Sequence, residues 1–147
     1  MKVPYFDAHC DTLSRMAYLP GTHLERRTGQ WDLEKLSRFD GPKAQIFAVF
    51  CDSVLPGASW AAERQIAVFR RECARNQDRV VPCVDASQAE QAFADGKLAA
   101  FLSVEGAELL DCAAEKLDWA YARGVRFINL TWNHANALSG SHCDEPG

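Results

Sequence analysis

Four stretches of the chain are mainly apolar and have the length of a strand. They are residues 3–8 (VPYFDA), 44–50 (AQIFAVF), 97–106 (KLAAFLSVEG) and 125–131 (VRFINLT). Nearly continuous apolar runs are typical of strands that are buried on both faces, as in a parallel sheet. A shorter extended piece at 79–84 is weakened by Pro82, because proline cannot donate a ladder hydrogen bond.

Between these strands the apolar residues change to helical spacing. The predicted helices cover residues 31–39, 58–77, 87–96 and 112–124. In the last of them, Ala113, Leu117 and Ala120 form the apolar stripe. Strands that alternate with helices through short loops predict an α/β domain with a parallel sheet. This pattern alone does not distinguish an open sheet from a closed barrel.

Composition and charge narrow the class of protein. The chain has 147 residues, of which 48% are hydrophobic and 24% are charged, as expected for one soluble domain. The net charge of −4, with Lys and Arg scattered, argues against nucleic acid as a partner. No apolar run approaches the ~18 residues of a membrane span, and the N-terminus lacks the apolar segment of a secretory signal. We therefore expect a cytoplasmic protein without a membrane segment.

Three residues are candidate metal ligands at strand ends. His9 and Asp11 are two residues apart after the first strand, so their side chains share one face, while Cys10 points away and packs. Glu105 ends a buried strand, where a carboxylate must be exposed, paired or metal-bound. Nitrogen and carboxylate oxygen ligands suit zinc. A hydrogen-bonded histidine–aspartate pair and a helix-capping Glu105 are the alternatives.

A polar segment follows the last predicted strand at residues 130–142. It contains Trp132, Asn133, His134 and Asn136, and hydrogen-bonding groups beside an aromatic ring are typical of a substrate pocket. The alternative is a surface loop whose polar groups are satisfied locally.

Three blocks of the sequence resemble the membrane dipeptidase family, also called renal dipeptidase, a group of zinc peptidases. The block FDAHCDTL is similar to the family opening F-D-G-H-N-D, and GKLAAFLSVEG is similar to its G-K-x-A-x-x-x-x-x-E-G-G segment. The block ARGVRFINLTWNHAN resembles its L-G-x-R-Y-x-x-L-T-x-x-x-x-N segment. The blocks occur in the family's order, and the resemblance covers essentially the whole chain.

The resemblance implies a two-zinc site that hydrolyses dipeptides. His9 and Asp11 match the ligands to one zinc, and Glu105 matches the carboxylate that bridges both ions. The catalytic group would be a metal-activated water, with no further catalytic side chain identified. Trp132, Asn133, His134 and Asn136 are the candidate substrate-binding residues.

The resemblance also implies an incomplete fold. Residues 1–147 would form the N-terminal half, about four βα units, of a TIM-type (β/α)8 barrel domain that is truncated at its C-terminus. Two histidine ligands of the second zinc belong to later strands in the family, so we expect the isolated chain to be inactive. Its possible partners are the missing half or another copy of the chain, besides the dipeptide substrate.

Two departures from the family keep other functions open. Ala107 and Glu108 replace a glycine and a histidine, so Glu108 is a rival to Glu105 as the ligand. Trp132 stands where many members have a substrate-contacting histidine, and His134 comes two residues later. The alternatives are a non-catalytic half-barrel interaction module and a hydrolase of another small amide or ester.

Overall fold

The computed structural model describes residues 2–25, 29–51 and 58–144. In these residues the strands are β1 (Tyr5–Cys10), β2 (Lys43–Phe50), β3 (Val80–Pro82), β4 (Leu98–Glu105) and β5 (Val125–Asn129). The α-helices are α1 (Thr12–Tyr18), α2 (Leu33–Leu36), α3 (Ala58–Arg75), α4 (Ala86–Ala94) and α5 (Lys116–Ala122). A 3-10 helix, Ala107–Leu110, directly follows β4 and Gly106.

The strands form a parallel sheet in which β2 pairs with β1 on one side and with β4 on the other. The far edge of β4 pairs with β3 along its first half and with β5 along its second half. The fold class is therefore α/β, as predicted, and the arrangement is consistent with part of a barrel. Because every pairing is parallel, the carboxyl ends of β1, β4 and β5 lie at one edge of the sheet.

The core lies mainly between one face of the sheet and the helices. The larger hydrophobic cluster lies there, and we call it the helix-side core. It packs Leu13 of α1, Phe47 of β2 and Ile66 of α3, each at most 2% exposed. A smaller cluster on the opposite face packs Ala92 of α4 against Ala99 of β4. The two clusters explain why β2 and β4 are apolar at consecutive positions, since both faces of these strands are covered.

Part of that opposite face is not covered by α4. Phe6 of β1 is 69% exposed and Phe127 of β5 is 44% exposed, although the Phe127 ring contacts Phe101.

Among the described helices, none combines the length and the apolar character that a membrane crossing requires.

Helix α1 was not predicted from the sequence. It begins directly after Asp11 and buries Leu13, Met16 and Ala17, which have helical spacing. With only seven residues, it is too short to be stable by propensity, and its packing against α3 and β2 stabilises it.

The predicted helix at 112–124 is shorter in the structure, where α5 begins only at Lys116. Asp111 and Cys112 have φ angles of 55° and 52°, and this left-handed backbone separates α5 from the preceding 3-10 helix. Of the predicted apolar stripe, Ala120 is buried, whereas Leu117 is 49% exposed.

Candidate metal centre

A bulge in β1 determines which way the first candidate ligand points. The β1–β2 register runs from Asp7 opposite Gln45 to Cys10 opposite Phe47, so β1 carries one extra residue in this interval. Cys10 packs against the helix-side core. Its neighbour His9 therefore points to the other face of the sheet.

The ends of β1 and β4 bring three predicted residues together. His9 Nε2 lies 3.3 Å from Asp11 Oδ1 and 3.3 Å from Glu105 Oε2. One ligand atom from each side chain falls within 4.8 Å of the other two. Among the described residues this is the only such group of His, Cys, Asp or Glu. We call these three residues the rim cluster, and their role as metal ligands stays a prediction.

The spacing inside the rim cluster suits a metal better than hydrogen bonds. Tetrahedral ligands at ~2.0–2.2 Å from a zinc ion lie about 3.4 Å from one another, close to the two 3.3 Å separations. Charge-assisted N–H···O bonds are shorter, at about 2.7–2.9 Å. One imidazole nitrogen also faces two carboxylates here, and a single N–H cannot point along both directions. The donor set therefore fits zinc.

The electrostatics of the rim cluster favour a bound cation. Burial raises the pKa of the Glu105 carboxyl, His9 lowers this pKa, and the nearby Asp11 carboxylate raises it again. The Glu105 side chain is 15% exposed, so its carboxylate is partly desolvated, whereas the Asp11 side chain is 59% exposed and solvent screens it. A cation between them would relieve both the repulsion and the desolvation.

Cys10 lies within the same motif but does not belong to the cluster. Burial raises the pKa of its thiol to about 11, so the sulfur stays protonated at neutral pH. Zinc binds the thiolate form of cysteine, and this thiol also faces the core.

Glu108, the rival carboxylate, is engaged elsewhere. Its Oε2 accepts a hydrogen bond of 2.8 Å from Asn136 Nδ2. Its carboxylate carbon lies 2.7 Å from the position that a Cβ on Gly106 would take, and Gly106 has a φ of 96°. The positive φ favours glycine here, and a Cβ at this position would displace the Glu108 carboxylate.

Three of the four predicted substrate-binding residues contact residues outside the rim cluster. The Trp132 ring packs on Phe50 at a centroid distance of 4.4 Å, and His134 Nδ1 lies 3.5 Å from Asp144 Oδ1. Asn133 is half-buried, and Asn136 also donates to the Leu130 carbonyl at 2.6 Å. Their role in binding substrate stays a prediction.

A cavity of about 640 Å³ opens beside His9 and Asp11. Its described lining includes Asp7, Arg15 and Trp31, and none of the four predicted substrate-binding residues. Asp7 was not predicted as a site residue. It lies two residues before His9, just as Asp11 lies two residues after His9.

Comparisons with known proteins identify a family and several relatives. A model of the membrane dipeptidase family, peptidase family M19, matches residues 1–147. A relative from Klebsiella pneumoniae, an uncharacterized protein in the pqqA 5' region, is 34% identical over 85 residues. The match covers 57% of this chain and 31% of that relative.

Solved structures share the fold. Dipeptidase AC, a metallopeptidase of family M19, is 25% identical with a TM-score of 0.75, over 90% of this chain and 44% of its own. A metallopeptidase from Rhodobacter sphaeroides, liganded with a phosphinate mimic of the dipeptide L-Ala-D-Ala, is 21% identical with a TM-score of 0.75. That match covers 90% of this chain and 46% of the other chain. This chain thus spans less than half the length of each of these relatives.

Proposed function

Because the chain belongs to the membrane dipeptidase family, peptidase family M19, we propose that it carries the first metal ligands of a zinc-dependent dipeptidase. The observation that supports this proposal is the rim cluster, in which His9, Asp11 and Glu105 converge from the ends of two strands. The reaction is hydrolysis of the amide bond of a dipeptide.

Each residue of the rim cluster has a separate role in this proposal. His9 and Asp11 would hold one zinc ion, and Glu105 would be shared with a second ion, since a carboxylate has two oxygens that can bind metal. Bound zinc would supply Lewis-acid polarisation of the peptide carbonyl and a water molecule of lowered pKa as the nucleophile. Glu105, which is 15% exposed, is the least solvent-screened of the three proposed ligands.

The proposed substrate class is a dipeptide, and L-Ala-D-Ala is the first one to assay. The Rhodobacter sphaeroides fold neighbour was solved with a mimic of this dipeptide. The cavity beside His9 and Asp11 offers space next to the metal ligands.

Zinc titration of the purified 147-residue chain tests the metal assignment. We expect saturable binding, measured by competition with a chromophoric chelator, and loss of that binding in His9→Ala. The matched control is His134→Ala, because His134 is also partly exposed and paired with an aspartate, outside the rim cluster. Absence of binding by the unsubstituted chain, or equal loss in both variants, contradicts the assignment.

The same preparation tests the incompleteness of the site. The resemblance places two second-zinc histidines on later strands, so we expect negligible hydrolysis of L-Ala-D-Ala by this chain with zinc added. Turnover at an ordinary rate of about 1–10³ s⁻¹ would show that the active site lies elsewhere in the chain.

A further inference from the structure

The direction of His9 depends on a break in the alternation of β1. Tyr5 and Cys10 are five residues apart, so in a regular strand their side chains would point to opposite faces. Both nevertheless pack against the same helix-side core. The extra residue between Asp7 and Cys10 accounts for this, because it inverts the alternation.

The inverted alternation is what places His9 on the side of Glu105. Leu102 and Val104 of β4 belong to the helix-side core, so Glu105 points to the opposite face. His9 points there as well, since Cys10 faces the core. Without the extra residue, His9 would face the helices and Cys10 would face Glu105.

Asp7 holds this bulge through its side chain. Its Oδ1 accepts a hydrogen bond of 3.0 Å from the backbone N–H of His9. A residue in a bulge loses its regular ladder partner, so its N–H needs another acceptor. The Tyr5 hydroxyl accepts from Trp31 Nε1 at 3.1 Å, and its one hydrogen faces two acceptors, Gln45 Oε1 at 2.9 Å and Asp7 Oδ2 at 3.1 Å.

The backbone of Asp7 is fixed from the neighbouring strand. Gln45 is fully buried, and its Nε2 donates to the Asp7 carbonyl at 3.3 Å and to the Ile46 carbonyl at 2.9 Å. Asp7 is thus held at Oδ1 by the His9 N–H and at its backbone carbonyl by Gln45, while its Oδ2 shares the Tyr5 hydrogen with Gln45 Oε1.

We propose that Asp7 is a positioning residue for the metal site, whose carboxylate fixes the β1 bulge and thereby turns His9 toward Glu105. This inference rests on the proposed zinc function. Asp7 itself is not in the group of side chains that could share a metal with His9. It acts through the backbone of His9.

Zinc affinity of three variants tests the proposal. Asp7→Ala should weaken zinc binding about 10–100-fold, the usual cost of losing a partner that orients a ligand. Asp7→Asn should recover to within about threefold of the unsubstituted chain, because its amide oxygen can still accept from the His9 N–H. The matched control is Asp40→Ala, since Asp40 Oδ1 accepts the backbone N–H of Val3 at 2.8 Å, away from the rim cluster.

Asp40→Ala should lower the melting temperature without changing zinc affinity. If Asp7→Ala binds zinc as tightly as the unsubstituted chain, or if both alanine variants weaken zinc binding equally, Asp7 has only a structural role. Should Asp7→Ala fail to fold, Asp7→Glu takes its place, with about threefold weaker binding expected because the added methylene moves the carboxylate away from the His9 N–H. Unchanged affinity in Asp7→Glu would then overturn the proposal.

Hydrogen exchange of the metal-free chain gives a readout that does not depend on zinc. The His9 amide should exchange about tenfold faster in Asp7→Ala and keep its protection in Asp40→Ala. Unchanged protection in Asp7→Ala overturns the inference even if zinc binds. If the unsubstituted chain does not bind zinc but the His9 amide loses protection, the proposed function fails while Asp7 still holds the bulge.

Discussion

The rim cluster and the segment at 130–144 differ in how their polar side chains find partners. In the rim cluster, His9 and Glu105 come from separate strands, and the sheet holds them 3.3 Å apart. In the segment the partners are near in sequence: the His134 ring pairs with Asp144, and the Asn136 carboxamide with backbone groups of residues 130, 138 and 139.

This difference follows from how the backbone hydrogen bonds are satisfied in a strand and in a loop. Strand ends in a parallel sheet have a direction and register set by ladder hydrogen bonds, so their side chains need not satisfy the local backbone. A loop lacks such a ladder, and its Asn and Asp side chains bond to nearby N–H and C=O groups instead. In this chain, polar side chains at the ends of β1 and β4 therefore face one another, whereas those of the loop are engaged locally.

Glu105 and Glu108 show the same contrast within four residues. Glu105, the last residue of β4, faces His9, whereas Glu108, in the 3-10 helix, bonds to Asn136 and connects the rim to the segment. The predictions below separate the two regions by zinc binding, by hydrogen exchange and by thiol reactivity.

The largest effect is expected for Glu105→Gln, which should weaken zinc binding at least about 100-fold, or about 2.8 kcal/mol. The amide keeps the size of the side chain but loses the charge that a zinc ligand supplies. Glu108→Gln is the control, and its affinity should stay within about threefold. Chelator competition measures both. If the two variants exchange their results, Glu108 is the ligand and the rim cluster is misassigned.

An intermediate effect is expected for Asn136→Ala, which removes the side chain that joins the segment to Glu108. The backbone amides of Leu138 and Ser139 should exchange about tenfold faster, equivalent to ~1.4 kcal/mol, because they lose their shared acceptor. Exchange measured by NMR reports this, and zinc affinity should change by less than about twofold. A large loss of zinc binding would show that the segment supports the metal site after all.

A last effect, which needs no substitution, concerns two cysteines, one in each region. Burial raises the pKa of Cys10 to about 11, whereas Cys143 is exposed. At pH 8 iodoacetamide should modify Cys143 at least about tenfold faster, since alkylation needs an accessible thiolate. Peptide mass spectrometry over a time course measures the two rates. Equal rates would mean that β1 does not pack against the core as described.

Much of the fold could be predicted from the sequence because its signals are local. The apolar runs at 44–50 and 97–106 correspond to β2 and β4, and the predicted parallel α/β arrangement is confirmed. Parallel pairing then brings strand ends together whatever the details of the loops, which is why His9, Asp11 and Glu105 could be grouped in advance.

Other features were decided by tertiary contacts. The helix α1 is stabilised by packing rather than by its own sequence, and the left-handed backbone at Asp111 and Cys112 shortens α5. The segment at 130–144 contains residue types that suit a substrate pocket. In the structure, however, Asn136 and His134 bond to other groups of the same loop.

The bulge in β1 shows where prediction from the sequence ended and tertiary structure became decisive. The sequence alone determined that a histidine and an aspartate two residues apart end the first strand. Only the tertiary structure decided which face His9 takes, because one extra residue inverts the alternation of every later side chain. That residue is accommodated because the Asp7 carboxylate accepts the His9 N–H that the ladder leaves without a partner.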